Sequence, residues 1–210
     1  MNEMLDFFLE AYSGISTLDI LLEAVAFFFG IASVVFAKKE NILVYPTGLV
    51  ATIITVYLMF KAEYFGDMTM NFYYSVMSLY GWWNWSRKME NYYVVPISKT
   101  TLKEKLIGLA MFTLTVMLTY FVYFHFKEQI KIVNYVDVFT SGIFFTAMWY
   151  MANKKIETWC LCIFANIITI PLYAYKGLGM LSLQYFIFTI LAIQGHKSWK
   201  KILHRNLTTS

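Results

Sequence analysis

The chain has 210 residues, of which 59% are hydrophobic, 20% are aromatic and only 14% are charged. Soluble domains carry about a quarter charged residues, so this composition excludes a soluble globular protein. It predicts an all-α integral membrane protein, because helices that face lipid are apolar on their outer side too. The net charge of +4 does not indicate nucleic-acid binding, since the basic residues form short clusters between apolar runs.

Seven apolar runs are long enough to cross a bilayer as helices, which takes about 20 residues each. Barrel strands are excluded, because the runs are too long and too uniformly apolar. The predicted spans are 19–37, 42–60, 66–86, 106–125, 135–153, 157–175 and 178–196. The residues before the first span have apolar side chains at helical spacing, which predicts a short segment lying in the membrane interface.

The placement of lysine and arginine predicts the orientation of the chain. If the N-terminus is outside, 13 of the 17 lysines and arginines fall on the inner side of the membrane. Basic residues of short loops stay in the cytoplasm. We therefore expect a multi-pass protein with its N-terminus outside and its C-terminus in the cytoplasm.

The two ends of the chain resemble each other at a fixed spacing. Gly81 and Trp85 close the third span, and Gly195 and Trp199 close the seventh span, 114 residues later in both cases. An Ile-Ile-Thr sequence at 53–55 recurs at the same spacing. We expect two parallel three-helix repeats joined by the fourth helix, and parallel repeats of this kind occur in SWEET transporters.

Five segments follow from this division of the chain. They are an interfacial segment, the first repeat, a basic inner loop with the linking helix, the second repeat and a basic tail: 1–18, 19–86, 87–134, 135–196 and 197–210. The substrate site of such transporters lies near mid-membrane between the two halves.

Four tryptophans and both cysteines are expected to have structural roles. Trp82, Trp83, Trp85 and Trp199 lie at span ends beside basic residues, which is typical of anchors at the membrane interface. The two cysteines, Cys160 and Cys162, lie within an apolar run and are expected to be small buried side chains. Two ligands are too few for a zinc site.

One face of the sixth span suits a ligand. Trp159, Cys162 and Asn166 lie at i, i+3 and i+7, a spacing that places them on one side of a helix. The residues matched to them at a spacing of 114 are Tyr45, Gly48 and Thr52. An amide in hydrocarbon needs a partner, and an aromatic face beside it suits a flat, cationic ring. Alternatively, Asn166 joins helices and Trp159 is an interfacial anchor.

Two further amides, Asn71 in the third span and Gln184 in the seventh, lie at membrane depth. They either line a path or hold helices together. No carboxylate lies in the middle of a span, and no side chains are spaced as a nucleophile–base set or as metal ligands. These features argue against an enzyme and a cofactor, and they favour uncoupled transport. A structural or signalling membrane protein is the alternative, although it would not need matched polar faces.

Over about residues 19–200 the sequence resembles the Pnu family of bacterial vitamin transporters. The sequence YGWWNWSRK is similar to the end of that family's third core helix, and the segment from Lys154 to Trp199 is similar to its last two helices. The family's W-x-x-W-x-x-x-N motif maps onto Trp159, Cys162 and Asn166, with a cysteine in place of the second tryptophan.

This resemblance implies a seven-helix, SWEET-like fold and a homotrimer in the bacterial cytoplasmic membrane. It also implies facilitated diffusion of an unphosphorylated vitamin, which a cytoplasmic kinase would trap, because a phosphate charge cannot leave through an apolar path. Nicotinamide riboside, a precursor for NAD biosynthesis, is the first candidate substrate, thiamine is the second and riboflavin is the third. Trp159 would stack on the vitamin and Asn166 would hydrogen-bond to it. The expected substrate-binding residues are Trp159, Asn166, Cys162, Tyr45, Thr52, Asn71 and Gln184.

Overall fold

The computed structural model describes residues 16–62, 65–89, 92–93, 95–126, 132–175 and 179–208. Within these residues the chain forms seven α-helices and two short β-strands. The helices are α1 Thr17–Lys38, α2 Val44–Lys61, α3 Phe65–Ser86, α4 Leu102–Phe126, α5 Ile132–Ala152, α6 Glu157–Tyr175 and α7 Gly179–Thr208. The strands β1 Lys88–Met89 and β2 Tyr92–Tyr93 pair antiparallel after α3. Most of the predicted interfacial segment 1–18 lies outside the described residues.

Each predicted span coincides with one helix. The ends agree to within a few residues, except that α7 continues to Thr208, well past the predicted end at 196. This extension buries Trp199 and packs Ile202 and Leu203 against the core. Within the described residues, five helices are long and apolar enough to cross a membrane, namely α1, α2, α4, α5 and α6. The other two, α3 and α7, carry the membrane-depth amides Asn71 and Gln184.

The outer surface of the bundle is apolar. Large side chains such as Phe28 and Met117 are 68% and 63% exposed. A water-soluble domain would not expose so many such residues in continuous runs, whereas lipid tails solvate them. The surface therefore agrees with a multi-pass membrane protein.

Six of the helices close into a ring. In order around the ring, α1 packs on α2, α2 on α3, α3 on α5, α5 on α6, α6 on α7, and α7 on α1. Helix α4 lies outside the ring and packs mainly on α5. We call α1–α3 the first half and α5–α7 the second half. The halves therefore meet at two joints, α1 with α7 and α3 with α5.

One end of the ring carries most of the basic residues near the helix ends, and we call it the basic end. It is marked by Lys38, Lys39, Arg87, Lys154 and Lys155. The buried apolar core also lies there. Its members include Ala37, Val44, Tyr45, Trp85, Ile97, Ile156, Trp159, Ala192 and Trp199.

The turn between α1 and α2 has the same backbone as the turn between α5 and α6. Glu40 and Lys154, which are 114 residues apart, both adopt left-handed conformations, with φ of 56° and 50°. In each turn the next amide bonds back to a helix carbonyl, at 3.0 Å for Asn41 and 2.9 Å for Lys155. This is the bond of a Schellman helix end, and it occurs twice at the spacing seen in the sequence.

A second pair of contacts recurs at that spacing. The Ser33 hydroxyl on α1 donates to the Val44 carbonyl on α2, and the Thr158 hydroxyl on α6 donates to the Ala147 carbonyl on α5, both at 2.8 Å. Ser33 and Ala147 are matched positions, and so are Val44 and Thr158. The donor lies on the first helix of its half in one case and on the second helix in the other, yet both bonds join the same two matched positions.

The connector between α3 and α4 is attached to the second half. The N–H of Ile156 donates to the Ser98 carbonyl, and the N–H of Thr100 donates to the Glu157 carboxylate, both at 3.0 Å. Ile97 is buried in the core beside them. These bonds hold the connector against the turn between α5 and α6.

Two glycines allow close packing of the last helix of each half. A Cβ atom at Gly195 on α7 would lie 2.6 Å from the Trp159 ring, and a Cβ atom at Gly81 on α3 would overlap the Tyr45 ring. Because glycine has no side chain, α7 can lie directly on Trp159 and α3 directly on Tyr45. Gly195 follows Gly81 by 114 residues, and Trp159 follows Tyr45 by the same number.

We expect Gly195→Ala to lower the thermal midpoint of the purified protein in detergent. Forcing a methyl group against a buried ring costs about 1–3 kcal/mol, and each kcal/mol lowers the midpoint of a chain of this size by about 2–4 °C. Gly30→Ala is the matched control, because a Cβ there would meet the end of the flexible Gln184 side chain at 3.2 Å and the Phe188 ring at an ordinary contact distance of 3.6 Å. Equal midpoints for the two variants would contradict tight packing at Gly195.

Candidate functional site

Four aromatic side chains form a continuous group at the basic end, which we call the aromatic cluster. Trp159 packs edge-to-face on Trp199 with ring centroids 5.4 Å apart, and Tyr45 packs edge-to-face on Trp85 at 5.1 Å. Trp85 and Trp199 then meet each other at 6.0 Å. All four side chains are 2% exposed or less. The cluster brings the predicted site residues Trp159 and Tyr45 together and joins the two halves.

Trp85 and Trp199 are core residues, so the prediction that they are interfacial anchors is wrong. The Trp199 indole N–H donates to the Ala37 carbonyl at 2.9 Å, and the Trp85 indole N–H donates to the Met151 carbonyl at 3.3 Å. Each bond joins one half to the other. The two donors are 114 residues apart in the sequence, and so are the two acceptors. Trp82, which is 40% exposed, fits the predicted anchor role. Trp85 and Trp199 are 114 residues apart, whereas the positions 114 residues after Trp82 and Trp83 are not tryptophan. This spacing could have separated the two kinds of tryptophan.

Two polar atoms of the aromatic cluster have no hydrogen-bond partner within the part of the chain that the structure describes. The Trp159 indole nitrogen and the Tyr45 hydroxyl are buried without a hydrogen-bond partner among the described residues. Such an atom costs about 1–3 kcal/mol when nothing satisfies it, and buried polar groups normally bond to protein, water or ligand. Tyr45 and Trp159 are 114 residues apart in the sequence. Each half therefore contributes one such hydrogen-bonding group, on an aromatic side chain that is otherwise packed.

Thr52 contacts Ser75 on α3, whose hydroxyl also lies near the backbone carbonyl of Asn71 one turn earlier on the same helix. The Ser75 hydroxyl lies 2.8 Å from the Thr52 hydroxyl and 3.0 Å from the Asn71 carbonyl. This contact joins α2 to α3, which is what a helix-joining role for Thr52 requires. Sequence reasoning missed Ser75, because a single serine one turn after Asn71 carries no distinctive pattern.

The remaining predicted site residues lie on α6 and α7. Asn166 is only 2% exposed, and Cys162 is half-buried and packs against the core at the basic end. Cys160 is exposed, so the expectation that it is buried is wrong. Gln184 faces α1, where its amide nitrogen would lie 3.2 Å from a Cβ atom on Gly30. It therefore lies at a joint between the halves.

Further aromatic rings connect helices elsewhere in the ring. Tyr185 on α7 stacks on Tyr173 of α6 at 5.3 Å and contacts Phe144 of α5 at 5.8 Å. Tyr73 on α3 stacks on Phe145 of α5 and donates its hydroxyl hydrogen to that residue's carbonyl at 3.0 Å. The sequence holds 16 tyrosines and 19 phenylalanines, so composition could not single these out.

Two surface clefts have no predicted substrate-binding residue in their lining. One, of about 280 Å³, lies between α2 and α3 and is lined by Leu49, Ile53, Val56, Phe72, Ser75, Val76 and Leu79. The other, of about 220 Å³, lies among α4, α5 and α6 and is lined by Gly108, Leu109, Phe112, Ile143, Thr146, Tyr150 and Leu161. Both are mainly apolar and open on the outer surface, which suits lipid.

The described residues contain no group of three His, Cys, Asp or Glu side chains that could hold a metal ion. What the ring does contain is buried aromatic and amide side chains, which can bind a small polar molecule by stacking and hydrogen bonding. A ring of apolar helices with such an interior is compatible with a membrane transporter, and the family comparison assigns that class. Residues 20–201 match the family described as nicotinamide mononucleotide transporter, and the chain belongs to this family.

Individual relatives agree with this assignment. The nicotinamide riboside transporters PnuC of Escherichia coli (strain K12) and of Shigella flexneri are each 23% identical to the chain over 201 residues, covering 85% of the chain and 84% of each relative. A crystal structure of the vitamin B3 transporter PnuC superposes with a TM-score of 0.70 and 22% identity, covering 96% of this chain and 90% of that one. The predicted family and the classification as a transporter, not an enzyme, are confirmed.

We expect Trp199→Phe to destabilise the protein more than Trp85→Phe does. Both changes remove the same part of a buried ring, but Trp199→Phe also leaves the Ala37 carbonyl without its 2.9 Å bond, whereas Trp85→Phe loses a longer bond of 3.3 Å. Each carbonyl keeps a turn amide as a second donor, the Glu40 N–H for Ala37 and the Lys154 N–H for Met151, both at 3.0 Å. The loss is therefore that of one hydrogen bond, about 0.5–1.5 kcal/mol, and it is smaller for the longer bond. Thermal midpoints of the two variants in detergent test this order. A lower midpoint for Trp85→Phe would contradict it.

Proposed function

We propose that this chain carries nicotinamide riboside across the bacterial cytoplasmic membrane by facilitated diffusion. The observation that supports this substrate is the specificity named for the two relatives, which are nicotinamide riboside transporters aligned with 85% of the chain. The family match over residues 20–201 supports the transporter function across the whole ring.

The chemistry of the site residues supports a flat, cationic substrate. Nicotinamide riboside has a positively charged pyridinium ring, which is attracted to the face of an indole, and hydroxyl and amide groups that need partners. Trp159 supplies the aromatic surface in this proposal, and Asn166 supplies a buried hydrogen-bonding group. The residues proposed to complete the site are Tyr45, Thr52, Cys162, Asn71 and Gln184.

The absence of a carboxylate from the middle of every predicted span supports uncoupled movement. A proton-coupled carrier usually places an ionisable residue within the membrane. Net uptake would then depend on a cytoplasmic kinase, because phosphorylation adds a charge that an apolar path does not pass.

In this proposal the two halves are parallel three-helix repeats joined by α4, as in SWEET-like proteins. The matched turns at Glu40 and Lys154 and the matched glycine–aromatic pairs support the duplication. The basic end faces the cytoplasm, because lysine and arginine are retained on that side, so the N-terminus is outside and the C-terminus is inside. The functional unit is a homotrimer, as the family resemblance implies.

Thiamine is the second candidate substrate. Cys162 stands where the family motif has its second tryptophan, and a cysteine lacks the stacking surface of an indole. Such a change alters the shape of the site at one point in the path. Thiamine is also a cationic heterocycle, so it fits the same aromatic surface, and riboflavin is the third candidate.

Titration calorimetry of the purified protein with nicotinamide riboside, thiamine and riboflavin tests the proposal. We expect the tightest binding with nicotinamide riboside. If thiamine binds more tightly, the substrate assignment is wrong while the carrier function stands. No heat with any of the three vitamins would reject the vitamin-carrier proposal.

We expect Trp159→Ala to weaken binding of the true substrate by about 1–3 kcal/mol, the contribution of one aromatic stacking contact. The same titration measures the change, after gel filtration has shown that the variant is folded. Trp82→Ala is the matched control, because this exposed tryptophan lies outside the cluster and its loss should leave affinity unchanged. If folded Trp159→Ala protein binds as tightly as the parent, Trp159 is not in the site.

A further inference from the structure

Glu40 and Lys154 form an ion pair between the two halves. Lys154 Nζ lies 2.7 Å from Glu40 Oε1, and the two side chains are 4% and 27% exposed. Each residue occupies the left-handed position of the turn that ends the first helix of its half. The pair is therefore held by two rigid helix ends rather than by flexible loops.

The two residues of this pair are 114 residues apart, so they occupy equivalent positions in the two halves. When two similar units are related by a two-fold axis, matched residues meet each other only near that axis. Trp85 and Trp199 are also matched and also meet, at 6.0 Å. Two pairs of equivalent residues therefore meet at the axis between the halves, at the basic end.

The ion pair lies directly on the aromatic cluster. Lys154 Nζ is 4.6 Å from the centre of the Trp85 ring, a distance at which a cation is attracted to an indole face. The Trp85 and Trp199 indoles donate to carbonyls of the opposite half beside it. Nearby bonds between the halves join Lys38 to Gln194 and Asn84 to the Ala152 carbonyl. Opening a path along the axis at this end requires the ion pair to separate.

Separating the pair has an electrostatic cost. The Lys154 ammonium is almost completely buried, and a buried charge that loses an ion-pair partner is strongly destabilising. The pair therefore favours the arrangement in which the halves touch at the basic end. On the proposed transport function, we infer that Glu40 and Lys154 are gating residues whose contact closes the cytoplasmic end of the path and must break for substrate release.

The native cysteines allow a direct test. Cys160 and Cys162 are the two cysteines of the chain, so the Cys160→Ser variant keeps only Cys162, which is half-buried against the core of the closed end. In this background we expect Glu40→Gln and Lys154→Met each to raise the rate at which a maleimide modifies Cys162 by about tenfold, equivalent to about 1.4 kcal/mol.

A charge exchange tests whether the pair acts through its contact. Because the two residues occupy matched turns, the double variant Glu40→Lys, Lys154→Glu can form the same bond in reverse, and we expect its Cys162 to react at the rate of the Cys160→Ser parent. Lys61→Met is the matched control. It breaks an ion pair to Asp19 within the first half, so it should leave the rate at the parental value.

Unchanged Cys162 reactivity in folded Glu40→Gln and Lys154→Met proteins would overturn the inference. So would an exchange variant that reacts as fast as the single variants. If a single variant does not fold, the exchange variant and Glu40→Asp, which keeps the charge on a shorter side chain, still provide the comparison. The labelling needs no substrate, so failure to bind any of the three vitamins would reject the vitamin-carrier proposal and leave the gating result intact.

Discussion

The fold depends on two indole N–H groups that bond across the molecule. Trp199 donates to the carbonyl of Ala37, and Trp85 donates to the carbonyl of Met151. Both acceptors lie at the ends of helices that begin a half, next to turns with a left-handed residue. Because a helix end leaves carbonyls without intrahelical partners, each half supplies the acceptor that the other half's tryptophan needs. This exchange joins the halves at both joints of the ring, together with the Lys38–Gln194 and Asn84–Ala152 bonds, and it holds two members of the aromatic cluster in place.

The same region holds the residues with the strongest case for binding. Trp159 lies on Gly195 and Trp199, so any movement of α7 away from α6 changes the surface that Trp159 presents. Its indole nitrogen, like the Tyr45 hydroxyl, lacks a partner among the described residues. A ligand that satisfies these atoms better in one arrangement of the halves than in another shifts the balance between the arrangements. In the proposed mechanism, binding and opening are therefore coupled through shared residues.

The helices could be predicted from the sequence because, within a bilayer, each must satisfy its own backbone and so leaves a long apolar run. The repeat was visible too, since Gly81 and Gly195 mark positions where no side chain fits. The burial of Trp85 was not predictable from its neighbours, because a tryptophan beside basic residues also fits an interfacial anchor. Likewise, the partner of Lys154 depends on how the ring closes, which neither α1 nor α5 encodes alone. Among the proposed site residues, Trp159 and Tyr45 were predicted from their spacing, whereas Ser75, which contacts the proposed site residue Thr52, had no such pattern.

The most direct test of the transport claim is counterflow in proteoliposomes loaded with unlabelled nicotinamide riboside and diluted into trace labelled vitamin without an ion gradient. Facilitated diffusion predicts that label accumulates transiently inside, and that ionophores do not reduce this accumulation. Label entry no faster than in protein-free liposomes, or entry that requires an ion gradient, would contradict it.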